Sequence, residues 1–124
     1  MAPLLDSKSL RALGDINASQ PCSCALRPCA GWDSFTQERW PTPQMRHIGT
    51  LRDPDVDEPT HDEHHPGGTR YDSPTAPIAV NFFPCNVSDV YACTSCKKVV
   101  LRYTEFGGYY VDHRVRELDS SLVV

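Results

Sequence analysis

Two thiols spaced two residues apart, Cys93-Thr-Ser-Cys96, lie between two runs of strand-forming side chains. Asp89-Val-Tyr-Ala-Cys93 leads into them and Val99-Val-Leu-Arg-Tyr-Thr-Glu-Phe106 leads away. A chain of this pattern turns at the cysteines, and the turn lets both sulfurs reach one tetrahedral ion at about 2.3 Å. Gly107-Gly108 then offers the positive φ angles of a two-residue hairpin turn, and residues 109–118 return as a further strand. That turn pairs Phe106 with Tyr109, Thr104 with Val111, Arg102 with His113 and Val100 with Val115. One face collects Val100, Phe106, Tyr109, Val111 and Val115, and it is the expected core face. The other carries Leu101, Tyr103, Glu105, Tyr110, Asp112 and Arg114.

Residues 89–118 resemble the knuckle of the zinc-ribbon group, in which a Cys-x-x-Cys turn joins two strands and a second ligand pair from elsewhere closes the site. The pattern departs at Lys97, where such knuckles often carry glycine. The run from Gly68 through Leu118 also looks like small bacterial proteins of unknown function, a likeness that implies no activity. The ion expected is Zn2+, held by Cys93 and Cys96. The second pair is open among several candidates. Cys22 and Cys24, in the proline-bounded loop 21–29, come first, because two more sulfurs give a four-thiolate zinc site. Cys29 in place of one of them, or His65 as fourth ligand, is the nearest competitor. Cys85 reads as a buried thiol, His113 as a hydrogen-bonded sheet residue and His47 as an exposed residue on a short helix. The cluster 61–65 reads equally as a solvated acidic loop.

Upstream, the sequence predicts helices. Leu4, Leu5, Leu10, Leu13 and Ile16 have loosely helical spacing, with Ser7 or Ser9 as cap and Gly14 as stop. A second helix is expected from Asp33 to Trp40, ended by Pro41. A third begins at Thr42 and buries Met45 and Ile48. Residues 78–83 read as a strand ending at Pro84. These elements make an α+β fold: short N-terminal helices packed on a small antiparallel sheet with a C-terminal hairpin, stapled by zinc. In small zinc domains metal binding contributes folding energy on the order of ten kcal/mol.

A chain of 124 residues fits one domain, 1–124, with a modest core. Seven acidic residues and one arginine fall within 53–77, so the net charge of −4 is concentrated in one proline-rich, aperiodic loop. Without a basic stripe, nucleic acid is not an expected partner. No run is long and apolar enough for a membrane span, and the first residues lack a secretory signal. Six cysteines without export point to thiols or metal ligands in the reducing cytoplasm rather than disulfides. Function is then expected to be protein interaction or regulation, with the acidic loop offered to a basic protein partner.

An alternative from another class is a zinc-dependent hydrolase or deaminase. His61-Asp-Glu63 followed by Cys93 and Cys96 mimics the deaminase pattern, with His61, Cys93 and Cys96 as ligands and Glu63 as acid/base. That family starts a helix at each motif, whereas here a strand follows Cys96 and Pro66-Gly67-Gly68 stops a helix after His65.

Overall fold

The computed structural model describes residues 3–19, 32–35, 40, 44–60, 62–70, 73, 75–94, 98–106 and 111–124. In chain order these form α1 (Ser7–Ser19), β1 (Asp33–Phe35), β2 (Met45–Thr50), β3 (Asp89–Cys93), β4 (Val99–Phe106) and β5 (Val111–Glu117). Short 3-10 turns occupy Cys85–Val87 and Ser120–Leu122. The strands make one antiparallel sheet in the order β1-β5-β4-β3-β2.

The expected α+β class with several N-terminal helices is therefore corrected: the fold is mostly β, with one helix among the described residues. Residues 33–35 pair with β5 as an edge strand, Asp33 opposite Val115, and residues 45–50 pair with β3 at the other edge. Met45 and Ile48 suggested a helix because they are three apart. In the sheet that spacing puts them on opposite sides, Ile48 against the main core and Met45 against the cluster around Trp40. A register shift between His47 and Gly49 accommodates Ile48 as a bulge. The run 78–83 is no regular strand. Ile78 makes a single parallel bridge to Val123, and turns follow. The zinc staple is also no part of the described architecture. No group of three or more His, Cys, Asp or Glu side chains suited to a metal occurs among the described residues. The described strands are held by backbone hydrogen bonds along the sheet and by apolar packing on both of its faces.

The β4–β5 hairpin exists with a shifted register. Phe106 pairs with Val111, Thr104 with His113, Arg102 with Val115 and Val100 with Glu117. The slip is two residues, so every side chain keeps its face. The expected Gly107-Gly108 turn lies outside the described residues. The larger core, however, lies on the face opposite the expected one. Leu101, Tyr103 and Val90 meet Leu10 of α1, Leu51, Ile78 and the C-terminal Val123 there. Val100 and Val115 occupy the other face under Trp40. Both faces are covered, so counting apolar residues on one hairpin could not choose between them.

Helix α1 begins at Ser7 and is capped by Asp6, one residue before the nearer of the two expected caps. Asp6 Oδ1 accepts from the Ser9 N–H at 2.8 Å, and this bond holds the Asp6 carboxyl below its ordinary pKa. The helix runs through Gly14 because the position needs no side chain. A Cβ there would sit 2.7 Å from Ser120 N and 2.9 Å from Ser120 Cα. Gly14→Ala should therefore lower stability by about 1–2 kcal/mol in urea unfolding, since overpacking outweighs the gain in helix propensity. A stabilised variant would show that the helix and the Ser120 turn are not in close contact.

Candidate metal centre and its surroundings

Cys93 ends β3 where the chain turns towards β4. Ala92 pairs with Val99, and beyond that pair the Cys93 N–H donates to the Lys98 carbonyl at 2.8 Å. On the other side Cys93 is level with Met45, and Thr94 donates from N and Oγ1 to the Gln44 carbonyl at 2.8 and 3.2 Å. The Cys93 residue is fully shielded from solvent. Lys98 is nearly buried beside it, with Nζ 3.4 Å from Glu117 Oε2.

Of the four sulfurs assigned from sequence, Cys22, Cys24 and Cys96 lie outside the described residues, as do Cys29 and His61. The elements bordering residues 20–31 are described, and both approach the Cys93 end of the sheet. Gly14 of α1 packs on Ser120, just beyond Leu118, whose N–H donates to Val99 O at 3.1 Å. β1 runs antiparallel to β5 with Asp33 opposite Val115, so the chain entering β1 comes from the Glu117 side. Val100 pairs with Glu117, which makes that side the one bearing the β3–β4 turn.

Among the described residues, the histidine candidates His47, His64, His65 and His113 do not form a metal-binding group with Cys93. His65 is engaged within its own loop, Nε2 with Glu63 Oε1 at 2.8 Å and Nδ1 with Thr69 Oγ1 at 2.9 Å. His64 stacks on Phe82, with ring centroids 5.1 Å apart. His47 stacks on Tyr91 and has Nε2 3.4 Å from Asp89 Oδ1. His113 Nδ1 lies 3.3 Å from Thr104 Oγ1. Glu63, the acid/base of the deaminase alternative, is likewise committed to His65. Its loop is tied to the other end of β3 by the Phe83 N–H, which donates to Asp62 O at 2.8 Å.

No family model matches the chain, and neither a curated protein nor a solved structure does. No helix among the described residues is long and apolar enough to cross a membrane.

Cys85 takes the role expected of it. It is buried in the main core, and burial pushes its thiol up to about 11, partly opposed by the nearby Arg116. It is a neutral packing group at neutral pH. Two features had no sequence signal. Arg116 is almost wholly buried on the main core face and donates from Nη2 to Ala76 O at 2.5 Å. Asn86, in the turn after Cys85, is also buried; its Nδ2 donates to Thr60 O at 2.8 Å, which fixes the orientation of the amide.

Proposed function

We propose that this chain is a zinc-binding protein-interaction module of the reducing cytoplasm, with Cys93 and Cys96 as a zinc-ribbon-like knuckle and Cys22 and Cys24 as the second ligand pair. The observation that carries the reading is the shielded Cys93 at the head of a turn between two antiparallel strands, its N–H held by Lys98 O. Cys93 fits a zinc ligand in its burial and in its position at the end of β3, where the chain turns. The approach of α1 and β1 to the same end of the sheet supports a second ligand pair from residues 20–31. Zinc bound there would neutralise and orient the thiolates. With four sulfurs the ion has no open position for water, so the site organises a surface and does not activate a nucleophile. The acidic loop is the surface for a basic protein partner.

Zinc content of protein purified under reducing conditions tests this reading. The wild type should hold stoichiometric zinc, Cys93→Ser should lose it, and Cys85→Ser, altering a thiol of the core, should retain it. Equal zinc in wild type and Cys93→Ser would remove Cys93 from the site and end the proposal.

A further inference from the structure

We draw no further inference here: the strongest candidate, the hydrogen-bonded cluster of Glu63, His65 and Thr69 in loop 62–70, braces its own loop, and the cavity that His65 lines has a volume of about 10 Å³, room for one water and no substrate, with Thr69 outside its wall.

Discussion

Trp40→Ala should reduce the unfolding free energy by roughly 3–5 kcal/mol, the usual cost of emptying a buried aromatic site. Trp40 is 5% exposed and covers Val100 and Val115 on the sheet face away from α1. Its ring meets Tyr91 edge-on at 5.1 Å, and the Arg102 guanidinium carbon lies 4.5 Å from its centroid. Losing the indole therefore removes an aromatic pair, a cation–π contact and the cover over two valines together. Trp40→Phe should recover a large part of the loss, because a smaller ring still covers the valines. Urea unfolding of both variants measures this. A Trp40→Ala variant within about 1 kcal/mol of the wild type would mean that this face is not a core, since surface substitutions fall in that range.

Arg116 gives the second large effect. It lies in the main core at 1% exposure, where burial pulls its pKa below the ordinary arginine value although the group stays charged. Arg116→Ala should cost about 3 kcal/mol, from the lost packing of a long side chain and the Ala76 carbonyl left without this donor. Arg116→Met fills a similar volume without a charge to desolvate, and such exchanges are often neutral. It should be clearly more stable than Arg116→Ala. Equal damage from both would show that the guanidinium's hydrogen bonding, and not its bulk, holds this part of the core.

The contrast between these two residues shows what could be read in advance. Strands 89–93 and 99–106 were legible because β-branched and aromatic residues dominate them, and the position of Cys93 at a turn followed from that. The hairpin register slipped by two because it was counted from Gly107-Gly108, but the alternation of faces survived. The helices expected from Asp33 and from Thr42 gave way to strands at Asp33–Phe35 and Met45–Thr50 for a different reason. Their capping residues and spacing satisfy local preferences, yet β5 and β3 each offer an open edge whose backbone groups need partners. Tertiary hydrogen bonding overrode local propensity. Gly14 was read as a helix stop, and its role became visible only with Ser120 against it. Arg116 could not be placed in a core by alternation, since a charged strand residue is ordinarily assigned to solvent. Asn86, in the turn after Cys85, carried no motif at all.

The metal reading rests on the β3–β4 turn, and the metal's own spectrum tests it most directly. Reduced, freshly purified protein should contain stoichiometric zinc whose X-ray absorption reports sulfur neighbours at about 2.3 Å and no light-atom ligand. Folded, fully reduced protein that stays free of zinc after exposure to the ion and desalting would contradict the account.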